Sequence, residues 1–275
     1  MAAFSSSIVA DSELLAKEGA TARVAIIVHL HYSDLLEHIA GYLHNVPEAV
    51  DLYISVREGA FKQVRRAVKS RFPTATVVSY PNHGRDVVPF LRILTHIRGF
   101  GYEAIGKIHS KKSRHREDGD RWRDDVLDQL LGSASRIEAC LSLIRAGNGV
   151  VAPAGHLLSG ATYWGSNARR VTELALQMQC PHEWIQDFVF PAGTMFWFQP
   201  GAMEPLLHLG LQPADFEREV GQVDGTTAHA VERLIGLSAR KAGLSVIATP
   251  DGTTDDFGTY AFAVSTSADG KSLEA

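Results

Sequence analysis

The chain has 275 residues, 45% of them hydrophobic and 21% charged, enough for one large α/β domain or two small ones and far from the composition of a disordered protein. Lys and Arg total 27 against 31 Asp and Glu, a mild acidity that argues against a dedicated nucleic-acid binder. Two cysteines, Cys140 and Cys180, exclude a disulfide framework and a Cys-rich zinc site, and fit a reducing compartment.

Residues 1–23 read as a loose leader with a weak helical stretch around Glu13 to Glu18. Met1 to Ile8 lacks the basic and apolar regions of a signal peptide, and no stretch is apolar for long enough to span a bilayer. The expectation is a cytoplasmic protein, with peripheral contact at the inner face of the membrane left open. Val24 to Leu30 is a continuous apolar run, the pattern of a strand buried on both faces. Asp34 to Leu43 carries Leu35, Leu36, Ile39 and Leu43 at helical spacing. Strands follow at Asp51 to Val56, Thr76 to Ser79, Glu103 to His109 and Val150 to Pro153. Helices are predicted at Phe61 to Arg71, Val87 to Ile97, Arg121 to Leu131 and Arg136 to Arg145. This alternation predicts a mostly parallel sheet with helices on both faces and ligand loops at the carboxyl ends of its strands. Beyond it lie an aromatic segment at Phe188 to Phe198, a helix at Thr226 to Ala242 and a strand at Ser245 to Thr249. Residues 251–275 read as a flexible tail, leaving 24–250 as one domain.

Four constellations carry polar chemistry. Asn82-His83-Gly84-Arg85-Asp86 lies between a strand and a helix, where a tight turn exposes the helix N-terminus to an anion. Arg85 can pair with phosphate and Asp86 can accept from a ribose or base; the competing reading is a plain turn with Asp86 as helix cap. Lys107 opens a cationic run, through His109, Lys111 and Lys112, that holds seven of the basic residues between Lys107 and Arg123. It begins at a strand's carboxyl end, which suits a diphosphate or carboxylate, although such runs are also found as solvated faces. In Phe190 to Phe198, Gly193 and Thr194 interrupt aromatic residues that either stack on sugar rings or fill the core. Asp224 and Glu219 precede a helix carrying His229 and Glu232. One of these carboxylates can act as a general base, or Asp224 or Thr226 can cap the helix. His29 and His31 alternate at a strand end but have no third metal ligand at local spacing. No Walker A or GxSxG motif occurs.

Asn82 to Leu91, Lys107 to Ser113, Pro191 to Trp197 and Asp224 to Arg233, in this order, resemble the rhamnan synthesis protein F family of bacterial polysaccharide glycosyltransferases. The layout is also similar to a GT-A glycosyltransferase, which implies a single Rossmann-like domain. A GT-A enzyme usually ends its fourth strand in Asp-x-Asp to hold a divalent ion on the donor; here His109, Lys111 and Lys112 stand there. The resemblance implies transfer of a deoxyhexose from a nucleoside-diphosphate sugar, with dTDP-rhamnose as the donor, no metal or other cofactor, and a glycan or lipid-linked glycan as acceptor. His31, Arg57, Glu58, Asn82, Gly84, Arg85 and Asp86 are assigned to the nucleoside side of the donor. Lys107, His109, Lys111 and Lys112 are assigned to its diphosphate. Gly193, Thr194, Phe196 and Trp197 shape the acceptor region. Asp224 is the base with Glu219 as second choice, and His229 and Glu232 orient the site. Two rivals stand beside this reading, a non-catalytic carbohydrate- or nucleotide-binding module and an RNA-binding domain using Lys107 to Arg123. The second lacks interleaved exposed aromatics.

Overall fold

The computed structural model describes residues 12–47, 49–110, 112 and 118–250. The predicted tail, Lys111 and much of the cationic run lie outside these residues.

The central sheet has seven strands in the order β3-β2-β1-β4-β8-β5-β9. They are β1 (Val24–Leu30), β2 (Val50–Arg57), β3 (Thr76–Tyr80), β4 (Ala104–His109), β5 (Val150–Ala152), β8 (Phe196–Phe198) and β9 (Val246–Ala248). All pairings are parallel except those of β8, which runs antiparallel to both neighbours. Every residue of β1 and of β4 is buried, as a strand covered on both faces requires.

Helices α2 (Leu36–Leu43) and α3 (Phe61–Arg71) make the crossovers from β1 to β2 and from β2 to β3. Helix α4 (Val87–Ile97) returns the chain across β1 to β4. With right-handed crossovers this reversal puts α4 on the opposite face from α2 and α3. Accordingly α2 packs against α5 (Gly119–Leu131), whereas α4 packs against α10 (Thr227–Lys241). Helix α6 (Ala134–Arg145) lies on β4, β5 and β8. Strands β6 (Leu157–Ser159) and β7 (Val189–Pro191) form a separate antiparallel ribbon against α10, and the short helices α8 (His182–Gln186) and α9 (Glu204–Leu207) flank β7 and β8 in the chain.

Residues 12–23 depart from the expected loose leader. Helix α1 (Ser12–Leu15) buries Leu14 and packs on β3 and α4. Glu13 accepts hydrogen bonds from Arg65 Nε at 2.7 Å and from the Val77 amide at 3.2 Å, and pairs with Lys69 at 3.1 Å. Asp51 accepts from the Thr21 amide and from Tyr102 Oη, at 2.7 and 2.8 Å. Burial alone would raise the Asp51 pKa, but these bonds outweigh it and the carboxyl titrates below its ordinary value. Predicted helix ends otherwise fall within two residues of those found.

Candidate active site

Strand order reverses between β1 and β4, and that switch point is where an open α/β sheet leaves a crevice at its carboxyl edge. A cleft of about 570 Å³ lies there. Its floor is His29, His31 and Tyr32 from the end of β1 and His109, Ser110 and Lys112 from the end of β4. The turn before α4 supplies Asn82, Arg85 and Asp86. The far wall combines Phe190, Ala192, Gly193 and Thr194 with Glu219, Gly221 to Asp224 and the first turns of α10.

The floor rests on a buried polar network. Lys107 Nζ donates to Asp86 Oδ2 at 2.5 Å and to the Thr194 carbonyl at 2.7 Å. Thr194 Oγ1 donates to the same Asp86 oxygen at 2.8 Å, and His109 Nε2 donates to the Gly193 carbonyl at 2.6 Å. The Gly193 amide donates to Glu232 Oε1 at 2.5 Å. The polar atoms of the Gly193–Thr194 turn are thus bonded in five directions, including the Thr194 amide to the Pro191 carbonyl. Thr194 (φ 52°) and Arg85 (φ 55°) are both left-handed, an unfavourable backbone for a residue with a side chain, and both line the cleft. Burial would raise the Asp86 pKa; Lys107 and His109 overcome it and hold the carboxyl well below the usual range. His29 is pushed down to about 3 by burial, which outweighs the opposing charge of Asp86 and is reinforced by the neighbouring histidines and Lys107, so its imidazole is neutral. Its Nδ1 is 2.9 Å from Ser55 Oγ.

The wall above is set by the start of α10. Thr226 caps this helix, and His229 Nδ1 accepts from the Thr226 amide at 3.3 Å in a reciprocal capping arrangement. Asp224 does not cap the helix. Its Oδ1 accepts from Asn167 Nδ2 at 2.6 Å and its Oδ2 from the Ser166 amide at 2.8 Å, with Arg233 Nη2 3.9 Å away. Burial raises the Asp224 pKa, but these donors prevail and lower it, so the group is ionised at neutral pH. Arg233 is 2% exposed, lies 5.1 Å over the Phe190 ring and bonds Glu232 Oε2 at 3.2 Å. The loop before α10 is tied back to the opposite wall. Arg85 donates to the Gln222 carbonyl and sits 3.7 Å from Glu219, and His83 donates to the Pro213 carbonyl at 2.7 Å.

Of the residues assigned from sequence, His31, Asn82, Arg85, Asp86, His109, Lys112, Gly193, Thr194, Glu219, Asp224, His229 and Glu232 all line this one cleft. Five do not. Lys107 is buried and spent on Asp86 and Thr194, so it supports the wall rather than gripping a ligand. Gly84 packs inward, and a Cβ there would overlap Val88. Phe196 and Trp197 are core residues of β8, with Trp197 Nε1 bonded to the Leu130 carbonyl at 3.1 Å. Arg57 and Glu58 are exposed at the end of β2, away from the cleft. Asp86 also departs from its assigned role, since Oδ2 is already engaged by Lys107 and Thr194. Of the expected diphosphate clamp, Lys107 pairs with Asp86 and Lys112 with Asp34, and two arginines of the cleft are paired as well, Arg85 with Glu219 and Arg233 with Glu232.

His29, Ser110, Arg233 and Asn167 were not among the assigned residues. His29 had a visible signal, its alternation with His31 at a strand end. Asn167 had none, because its 57-residue separation from Asp224 is closed only by the tertiary fold.

The family model for rhamnan synthesis protein F matches residues 3–244. The chain is also 31% identical over 233 residues to the uncharacterized protein WxcX of Xanthomonas campestris pv. campestris, in strains B100 and ATCC 33913 alike. Each match covers 83% of this chain and 33% of the relative, so the chain spans about a third of the length of these relatives. The order of motifs around the cleft and the extent of the match together make this chain a member of the rhamnan synthesis protein F family.

Proposed function

We propose that the cleft binds a nucleoside-diphosphate sugar and that the chain transfers its deoxyhexose to a glycan or lipid-linked glycan, as part of cell-surface polysaccharide synthesis. The observation that carries this reading is the position of the cleft. It opens at the switch point of the sheet, where α/β domains take nucleotides, and an ionised carboxylate stands in its wall. The family's description names a rhamnose polymer, which supports dTDP-rhamnose as donor. In the reaction Asp224 accepts the proton of the attacking hydroxyl. The new C–O bond forms at the anomeric carbon as its bond to the diphosphate oxygen breaks, and the nucleoside diphosphate leaves with the electron pair. Arg85, Lys112 and the floor histidines meet the charge that develops on it.

The likeness to GT-A enzymes implies a divalent ion on the donor. The side chains at that place are Lys107, His109 and Lys112, with the lysines' ammonium groups offering donors where a hard cation needs oxygen acceptors, and they do not fit one. We therefore propose transfer without a metal. The pairing of Arg85, Lys112 and Arg233 with carboxylates favours one rival, a module that binds the ligand and never turns it over.

Thermal unfolding tests the binding site, because a ligand specific to the folded state stabilises it by mass action, about 2.7 kcal/mol at a hundredfold excess over Kd. The expected result is a higher Tm with dTDP-rhamnose or dTDP than with thymidine, and a smaller difference in Lys112→Ala. No response to any of the three would contradict the reading.

A further inference from the structure

Asp224 is held by a second segment of the chain that no motif marks. Gly165 to Asn167 forms a 3-10 turn just before α7 (Ala168–Gln177), 57 residues upstream of Asp224. Three features of that turn are shaped around the carboxylate. Gly165 has φ 57°, and a Cβ on it would overlap Asp224 Oδ2, so only glycine lets the carboxylate lie where it does. The Ser166 amide points at Oδ2. Asn167, 1% exposed, spends its Nδ2 on the Trp164 carbonyl at 3.0 Å and on Asp224 Oδ1 at 2.6 Å. Its own Oδ1 is buried with no hydrogen-bond partner. A buried amide with an orphaned oxygen costs stability, and such exceptions call for an explanation. Here the amide's orientation serves Asp224 at the expense of its own oxygen.

We propose that Gly165, Ser166 and Asn167 form a carboxylate cradle that fixes Asp224 as the proton acceptor of the site, with Asn167 as its positioning residue. This rests on the reading of Asp224 as the base. The cradle occupies one donor direction on each oxygen and fixes the plane of the carboxylate. Lone pairs remain for the attacking hydroxyl, because each carboxylate oxygen accepts more than one bond. Among the described residues Arg233 on α10 is the charged group paired with the Asp224 carboxylate, and the other titratable groups that share this cleft wall are Glu232 and His229 on α10 and Glu219 on its own loop.

The test follows the Asp224 carboxyl by ¹³C NMR in the full chain with labelled aspartate, its signal assigned by loss in Asp224→Asn. It is paired with release of dTDP from dTDP-rhamnose across pH. In Asn167→Ala the Asp224 titration is expected to move upward. The acid limb of the release profile should move with it, and release at neutral pH should fall by about a hundredfold through misplacement. Gly165→Ala should displace the same signal by direct overlap while Asn167 stays intact. The buried Asp51 signal reports whether either variant remains folded; if one does not, the other carries the test. An Asp224 titration unchanged in both folded variants would overturn the cradle. Full dTDP release by Asp224→Asn would instead overturn the base on which the proposal rests, whatever the titrations show.

Discussion

Lys107 illustrates how one residue's chemistry changes with its surroundings. In the sequence it opens a cationic run; in the fold it is buried against Asp86 and the Thr194 carbonyl. A buried pair of this kind contributes little relative to an apolar pair, but removing one partner strands the other's charge. Lys107→Met is therefore expected to destabilise the chain by about 3–5 kcal/mol in urea unfolding, with Lys107→Met combined with Asp86→Leu recovering much of the loss. A loss below about 1 kcal/mol would show the pair to be solvated. His29 gives a pH signature. Its folded pKa of about 3 lies below the ordinary histidine value of about 6.5. The unfolded chain thus binds the proton more readily. His29's contribution to stability is full above about 6.5 and declines as pH falls toward 3. His29→Gln should flatten the stability profile across that window relative to wild type, and an unchanged slope would contradict the buried neutral imidazole. Arg85 and Asp86 were legible as candidates because a Gly-containing turn between strand and helix exposes a helix N-terminus, although a plain capped turn accounts for the same residues. The partners of Lys112 and Arg85 were not, since Asp34 and Glu219 reach them only through the fold.

Elements were read best where periodicity was strong. The apolar run of β1 and the helical spacing of α4 and α10 placed the scaffold of the cleft to within about two residues. The ribbon of β6 and β7 carried no such signal: each strand is three residues long, too short for alternation to register. Strand β8 was hidden for a different reason. Phe196, Trp197 and Phe198 are all buried, and a three-residue aromatic run reads equally as a sugar platform or as core. Its sheet neighbours decide the matter, since Gly106 on β4 leaves room for the Trp197 ring at 3.1 Å from where a Cβ would sit. The ribbon matters because it leads directly into Ala192, Gly193 and Thr194 of the cleft wall. It is seated by Gly236 on α10, where a Cβ would overlap the Val189 carbonyl. Gly236→Ala should lift the ribbon from the helix and cost about 1–3 kcal/mol, with loss of ligand-induced stabilisation. A variant with wild-type Tm and ligand response would show that this contact is loose.

At the scale of the whole molecule the expectation of a mostly parallel, doubly wound sheet holds, and most assigned residues converge on one cleft although they are spread from His31 to Glu232. Sequence order made this convergence legible, because a parallel sheet delivers every strand's carboxyl end to the same edge. The charge balance of the cleft was not legible, because it depends on side-chain pairing across elements. Among the described residues no helix is long and apolar enough to cross a membrane. The central claim is that this cleft transfers a sugar using Asp224 as base. Its most direct test is the rate at which radiolabelled rhamnose moves from dTDP-rhamnose to a glycan or lipid-linked acceptor, in wild type and Asp224→Asn, each with and without EDTA. The account predicts EDTA-insensitive transfer by wild type and a loss of about a hundredfold or more in Asp224→Asn at unchanged donor affinity. Transfer retained by Asp224→Asn, or abolished by EDTA and restored by Mg²⁺, would contradict it.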